Sequence, residues 1–377
     1  MKEFLIGKNE AGQRLDKFLS KCLPDAGKGF LYRMLRKKNI TVNHEKKTGA
    51  EKLMPGDVVR FWLSDETFQK FAAPHRTGDD LQTLPKDTAP IKSRILYEDD
   101  DLLIFNKPAG LLSQKAKKQD CSANEWILAY LLQTGSVTEE SLRTFRPSIA
   151  NRLDRNTSGL LLAGKTLPAL QQLAELLRER SASKYYIACV RGTLKEPAEI
   201  HGFLRKNKET NKVLILNQKE RDEDREIHTA YEPLCFRNGI TLLRIHLITG
   251  RTHQIRAHLA SIGHPVLGDP KYGGAVCRGD SSNGAALAGR QLLHAYSFSF
   301  PRGNGILERI GGTCVVAPLP SDFFTFFPEE VCRGYLENKG ITGIRSRRHS
   351  ESFQSDLQGK PHRAGAENSD AHHPDGN

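Results

Sequence analysis

The stretch RILYEDDDLLIFNKPAG, residues 94–110, restricts the fold more than any other part of the chain. Two apolar runs, ILYE and LLIFN, flank the acidic turn EDDD and end at Pro-Ala-Gly, the signature of a β-hairpin. Strand-like runs recur in SKYYIACVRGTL, KVLILNQ and TLLRIHLITG. The last two are separated by KERDEDRE, whose balanced charges predict a solvated hairpin or loop. A helix is expected over about 167–180, with Pro168 near its start and Leu170, Leu173, Leu176 and Leu177 on one face. RTHQIRAHLASIG also reads as helical. The expected fold class is α+β, with a mixed, largely antiparallel sheet.

A second, smaller unit precedes the hairpin. RLDKFLSKCL has apolar residues at 15, 18, 19 and 23, and FLYRMLRKK repeats the helical spacing with Phe30, Leu31, Met34 and Leu35 inward. That second helix turns Arg33, Arg36, Lys37 and Lys38 outward. NITVNH and DVVRFW then read as short strands, with a PGD turn before the second, which makes residues 1–71 a small α+β module. Residues 72–92 lack apolar periodicity and read as a linker, and residues 93–328 as the main domain. Residues 329–377 read as a C-terminal extension, expected to be disordered from about 341, where polar residues dominate.

The net charge of +12 favours a polyanionic partner, nucleic acid before membrane, because no Lys-rich amphipathic helix with bulky apolar anchors is present. Residues 1–71 hold 15 Lys and Arg against 9 Asp and Glu, so half of the excess falls in this module. Cysteines 22, 121, 189, 235, 277, 314 and 332 form no C-x-x-C pair, which fits a reducing compartment. MKEFLIGKNEAGQRLDKF has no apolar signal core, and no run approaches a membrane span, so the expected location is the cytoplasm.

Several chemistries find no support. There is no P-loop or dinucleotide fingerprint, and Asn156 stands where a nucleophile elbow before Ser158 needs glycine. His253, His258, His264 and His294 lie in no H-E-x-x-H and join no cysteine pair, so structural or RNA-contacting roles are expected of them and no metal. What remains is Asp154 in NRLDRNTSGLLLAGKT, flanked by Arg152 and Arg155. A carboxylate beside guanidiniums is held ionised and suits a nucleophile or electrostatic partner better than a proton donor. Tyr186 in KYYIACVRG and Arg251 in GRTHQIRAH are further candidates. Each alone has a plain explanation as a capping acid, a core tyrosine or a solvated arginine.

Together, EDDDLLIFNKPAG, NRLDRNTSGLLLAGKT, KYYIACVRG, LITGRTHQIRAHLASIGHPVLGDPKYG and RQLLHAYSFSF resemble the RluA-type pseudouridine synthases, in the family's order and over most of residues 94–300. AGQRLDKFL and LYRMLRKKNITVN resemble the RNA-binding module named after ribosomal protein S four. The resemblance implies an isomerase that converts specific uridines of RNA to pseudouridine. Large-subunit ribosomal RNA is favoured and transfer RNA stays open. It makes Asp154 the catalytic carboxylate, with no metal or redox cofactor. Arg251 is then expected to pair with it, Tyr186 to stack on the target base and assist proton movement, and Arg152 and Leu293 to belong to the substrate pocket.

The target base must leave its stack, so a loop, bulge or opened helix is the expected substrate. Arg33, Arg36, Lys37 and Lys38, with Arg14 and Lys17, are the expected phosphate contacts of the first module. The chain is expected to act as a monomer with no obligate protein partner. It departs from the family at Asn151 and at Ser113-Gln114, where many members carry His and His-Pro, and these positions are expected to affect RNA fit. The competing classes are an RNA-binding assembly factor that performs no chemistry and a cysteine- or metal-dependent hydrolase.

Overall fold

The computed structural model describes residues 1–338 except 73–80, 82, 118, 140, 208–209, 211, 274–287 and 304. Much of the expected linker, Cys277 and the expected disordered tail therefore lie outside the described residues.

The first module packs helices α1 (Leu15–Cys22), α2 (Lys28–Arg36) and α3 (Asp65–Phe71) around a three-stranded sheet of β1 (Lys2–Leu5), β2 (Ile40–Val42) and β3 (Val58–Phe61), in the order β1-β3-β2. Leu15, Phe18 and Leu19 of α1 meet Leu31 and Leu35 of α2 in a core closed by Val59 and Phe61. Burying these apolar faces stabilises two helices that are too short to persist alone. Arg33, Arg36, Lys37 and Lys38 are exposed.

The larger sheet has eleven strands: β4 (Ile95–Glu98), β5 (Leu102–Lys107), β6 (Ser148–Ile149), β7 (Ser158–Gly164), β8 (Ser183–Arg191), β9 (Ala198–Lys206), β10 (Val213–Leu216), β11 (Arg225–Arg237), β12 (Ile240–Leu247), β13 (Leu293–Ser299) and β14 (Cys314–Val316). Their order is β10-β9-β11-β12-β8-β13-β7-β5-β4, with β14 beside β13 and β6 beside β7. Every described pairing in it is antiparallel except β13 with β7, where His294 faces Ser158 and Ala295 faces Gly159. The sheet is mixed and largely antiparallel, and the class is α+β. The hairpin over 94–107 forms with β4 and β5 in antiparallel register.

The leucine run after Asp154 is β7, buried at all seven positions, which explains its unbroken apolar character. Helices α4 (Ala89–Lys92), α5 (Ala123–Gln133), α6 (Leu167–Glu179), α7 (Gln254–Ser261) and α8 (Glu329–Asn338) complete the described elements of regular helix. One core joins Leu103 and Phe105 to Leu161, Leu173, Leu243 and Leu259 on one face of the sheet. Another, around Ile187, Cys189, Phe323 and Phe327, covers part of the opposite face.

Two boundaries differ from expectation, and one expected loop is anchored by a buried acid. Ile91 of α4 is fully buried in the large core, so the end of the expected linker belongs to the main domain. Cys332 and Leu336 of α8 pack beside Phe323 and Phe327, so the first part of the expected extension is structured. Within KERDEDRE, Asp224 is buried and accepts from Arg205 at two distances of 2.7 Å, so this stretch anchors a turn and is not simply solvated. β9 and β11 pass without a sequence-based forecast, because Gly202 and Thr229 interrupt the apolar series at their buried positions.

The module docks on the main domain through polar contacts: Lys8 with Asp101 at 3.0 Å, the Thr144 hydroxyl donating to Glu10 at 2.6 Å, and the Leu167 amide donating to Asn9 at 3.2 Å. No described helix is long and apolar enough to cross a membrane.

Candidate active site

Asp154 occupies a turn that the rest of the domain holds from three sides. From the segment after β5, the Ser113 hydroxyl donates to the Leu153 carbonyl at 2.7 Å and accepts from the Leu153 amide at 3.0 Å. Arg155 donates through Nε to the Gly110 carbonyl at 3.0 Å. Lys107, fully buried, donates to the carbonyls of Pro108, Leu111 and Arg155 at 2.9, 2.8 and 3.0 Å. Burial, then the charge of Arg290, pushes this amine down to about 7, while Asp154 acts in the opposite direction.

The third support comes from RQLLHA. Arg290 donates to the Asn156 carbonyl at 3.0 Å and is itself held by Asp322 at 2.6 Å. Gln291 donates to the Thr157 hydroxyl, and buried His294 bonds the Ser158 hydroxyl at 2.9 Å. Burial holds His294 neutral, at about 3. Gly159, at φ +111°, completes the turn: a Cβ there would lie 2.2 Å from the Ala295 carbonyl oxygen, so only glycine lets β7 approach β13.

The turn opens into a cleft of about 950 Å³ lined by Asp154, Tyr186, Arg152, Leu293 and Arg251, so the structure gathers all five expected residues around one space. Nine of the residues lining it are Lys or Arg and one, Asp154, is acidic. Such a bias selects an anionic ligand and focuses its approach.

The pairing expected of Arg251 is made by Arg256. Arg256 Nη1 donates to Asp154 Oδ2 at 2.6 Å, while Nε and Nη2 donate to buried Asp269 at 2.6 and 2.8 Å. The physical reason is the chain reversal at His253, a non-glycine residue at φ +54°. It leaves Arg251 exposed on the loop and starts α7, whose first turn carries Arg256 to the cleft floor. Gln254 fixes that reversal by accepting from Thr249 and the Arg251 amide and donating to the His228 carbonyl. Nor do Arg152 and Arg155 hold the acid: both are exposed, and Arg155 is directed to Gly110.

Asp154 keeps 24% of its side chain exposed, against 5% for Arg256 and none for Asp269. One oxygen is thus fixed by a guanidinium while the carboxylate stays open to a ligand. His253 Nε2 lies 3.9 Å from Asp154 Oδ1, and its Nδ1 bonds Tyr272 at 3.0 Å. Burial lowers the pKa of His253. Tyr186 is buried, and burial together with the charge of Asp154 raises its hydroxyl pKa, keeping it a neutral phenol.

Asn151 and Ser113, expected to tune RNA fit, are engaged internally. The Asn151 side chain bridges the Leu160 carbonyl and the Leu162 amide at 3.1 and 2.8 Å, so both residues shape the acid's turn. Arg14 pairs with Asp16 at 2.9 Å, which commits part of its charge within the module. Among the four histidines considered as ligands, His258 and His294 are buried structural groups. The six described cysteines are free thiols.

Residues 101–261 match the family model for RNA pseudouridylate synthase. Ribosomal large subunit pseudouridine synthase C of Vibrio parahaemolyticus is 32% identical over 301 residues, covering 78% of this chain and 87% of the relative. The protein of the same name from Escherichia coli K12 is 33% identical over 316 residues, covering 81% and 90%. The solved structure of human RNA pseudouridylate synthase domain containing 4 shares the fold, at TM-score 0.50 and 20% identity over 65% of this chain and 95% of that one.

Proposed function

Because this chain belongs to the RNA pseudouridylate synthase family and is an RNA pseudouridine synthase, we infer that it isomerises specific uridines of large-subunit ribosomal RNA, with Asp154 as the one catalytic carboxylate. The observation that carries the assignment of Asp154 is its position. Among the described residues it is the only acid lining a cationic cleft, held by an arginine that a second, buried carboxylate fixes in turn.

Isomerisation breaks the bond from uracil N1 to ribose C1′, turns the base, forms the bond from C5 to C1′, and moves the C5 proton away so that N1 ends protonated. No electrons leave the substrate, so no redox cofactor enters the proposal. An ionised carboxylate starts the sequence by attacking the ribose or base, or by taking the ribose 2′ proton. Arg256 gives Asp154 a counter-charge and fixes one of its oxygens at 2.6 Å. The ring of Tyr186 offers a flat apolar surface to the base, and its neutral hydroxyl relays the departing proton. Leu293 and Arg152 line the same cleft. Arg251, exposed at its mouth, contacts the RNA backbone.

The first module supplies a second cationic surface, in which exposed Lys17, Arg33, Arg36, Lys37 and Lys38 bind phosphate, with Arg14 contributing less because Asp16 holds it. The domain boundaries proposed are 1–71 for this module and about 89–338 for the catalytic domain.

The deciding experiment is a pseudouridine map of ribosomal and transfer RNA from cells lacking the protein, complemented with wild type or Asp154→Asn. Defined large-subunit sites are expected to vanish and to return with wild type alone. Restoration by Asp154→Asn removes the carboxylate from the chemistry, and changes confined to transfer RNA overturn the ribosomal assignment.

A further inference from the structure

The sheet carries a second cluster of chemically capable side chains on the face opposite the cleft. Tyr186 on β8 turns to the active-site side, and Tyr185 therefore to the other, where it stacks on His246 of β12 at 4.7 Å. Farther along that face, β9 and β11 pair antiparallel with His201 directly opposite His228 and Glu199 opposite Ala230. The one-carbon side chain of Ala230 leaves Glu199 room to lean diagonally, and Glu199 Oε2 lies 2.7 Å from His228 Nε2 and 3.5 Å from His201 Nε2. The two imidazoles stack at 3.8 Å between centroids, so both direct Nε2 toward the same carboxylate oxygen.

From this juxtaposition we propose that Glu199, His201 and His228 form a surface site for one divalent transition-metal ion of the zinc class. All three donor atoms lie within 4.8 Å of one another. In a tetrahedral zinc site with bonds of 2.0–2.1 Å, neighbouring donors sit about 3.3 Å apart, so rotamer adjustments of a few tenths of an ångström to about 1.5 Å complete the geometry. Two imidazole nitrogens and one carboxylate oxygen select this class over magnesium and calcium, which demand mostly oxygen ligands. Glu199 and His201 are 60% and 62% exposed, so water fills the remaining coordination positions.

The location gives the ion a role. β10 pairs with β9 only over Phe203–Lys206, so among the described residues the portion of β9 that holds Glu199 and His201 has β11 as its single neighbour strand. A metal bridging the two strands clamps this free margin. It also braces His228, whose backbone carbonyl accepts from the side chain of Gln254, the first residue of α7.

The test is a zinc titration, by calorimetry and by competition with a chromogenic chelator, on the full untagged chain carrying H372A/H373A so that the adjacent histidines near its end do not contribute. One saturable equivalent is expected, and its affinity should fall at least tenfold in both His201→Ala and His228→Ala and stay unchanged in His246→Ala. Zinc should slow amide exchange over residues 198–202 in the parent and in neither ligand variant. Unaltered binding in the two ligand variants places the ion elsewhere and overturns the site. Absence of saturable binding by the parent chain does so too, leaving a plain hydrogen-bonded Glu–His pair.

Discussion

Replacing Asp269 with Asn tests whether a residue outside the reacting centre sets the geometry of Asp154. Arg256 gives Nε and Nη2 to Asp269 and Nη1 to Asp154, and neither Asp269 nor Arg256 has appreciable contact with solvent. Asparagine preserves the volume, removes the charge and sets an NH2 group against a guanidinium donor. Breaking a buried pair from one side costs about 3–5 kcal/mol, because the surviving charge is stranded. Asp154 remains as a counter-charge, so the lower end applies, about 3 kcal/mol, or about a hundredfold in the unfolding equilibrium.

The kinetic effect follows from the same loss. A guanidinium free to follow Asp154 no longer fixes the carboxylate, and a displacement of about 1 Å is worth on the order of a hundredfold in rate. Urea unfolding monitored through Trp126, which packs against the main core, measures the first quantity. Single-turnover conversion of target RNA, at a temperature where the variant is folded, measures the second. A stability loss under about 1 kcal/mol together with a wild-type single-turnover rate would refute the reasoning, since that is the worth of a surface pair.

Gly159→Ala is expected to prevent folding or to cost several-fold more than Gly135→Ala. Both glycines have positive φ, but only the first would drive a Cβ into a backbone oxygen, and thermal unfolding of the two compares strain with collision. Arg256→Lys should lower single-turnover rate by about a hundredfold at unchanged RNA affinity. Arg251→Ala should instead weaken RNA binding and reduce its salt slope by about one, and the opposite pattern returns the pairing role to Arg251. Lys107 titrates near 7 in the fold, below the about 10.4 of an unfolded lysine, so between those values the unfolded chain binds more protons. Its contribution to stability therefore rises with pH through this window, by up to about 1.4 kcal/mol per unit, and is lost as pH falls through 7. Lys107→Met should flatten that slope in urea midpoints measured from about pH 7 to 9, and identical slopes in the two proteins discard the assignment.

The sequence made the acid legible and left its partner ambiguous. Asp154 stands alone among strand and turn residues, whereas GRTHQIRAH offers two arginines five positions apart. Spacing cannot choose between them, because the choice depends on the left-handed turn at His253, which a local pattern does not announce. An arginine between Ile255 and Leu259 on a buried helix does signal a need for carboxylates, and Asp269 in LGDPKYG was the available one. The supports from Arg290, Gln291 and His294 were hidden for a different reason. They act across more than 130 residues, a distance over which periodicity carries no information. Helical faces in the first module were plain, since four short-range apolar positions suffice to define each. The polar docking of that module through Glu10 and Asn9 left no pattern to read.

The parallel seam between β7 and β13 also sets an order of events. Its partners are separated by 136 residues, so closing it carries a larger loop-entropy cost than the β4–β5 hairpin, which closes locally. A chain that ends before residue 290 contains Asp154, Tyr186 and Arg256 but lacks the strand that fastens the acid's turn. Such a chain is expected to be chemically silent, and truncation after residue 287, assayed for turnover with and without a peptide spanning 288–338, measures this directly. Competence then arrives only with β13, so an incompletely synthesised copy modifies no RNA that its first module binds.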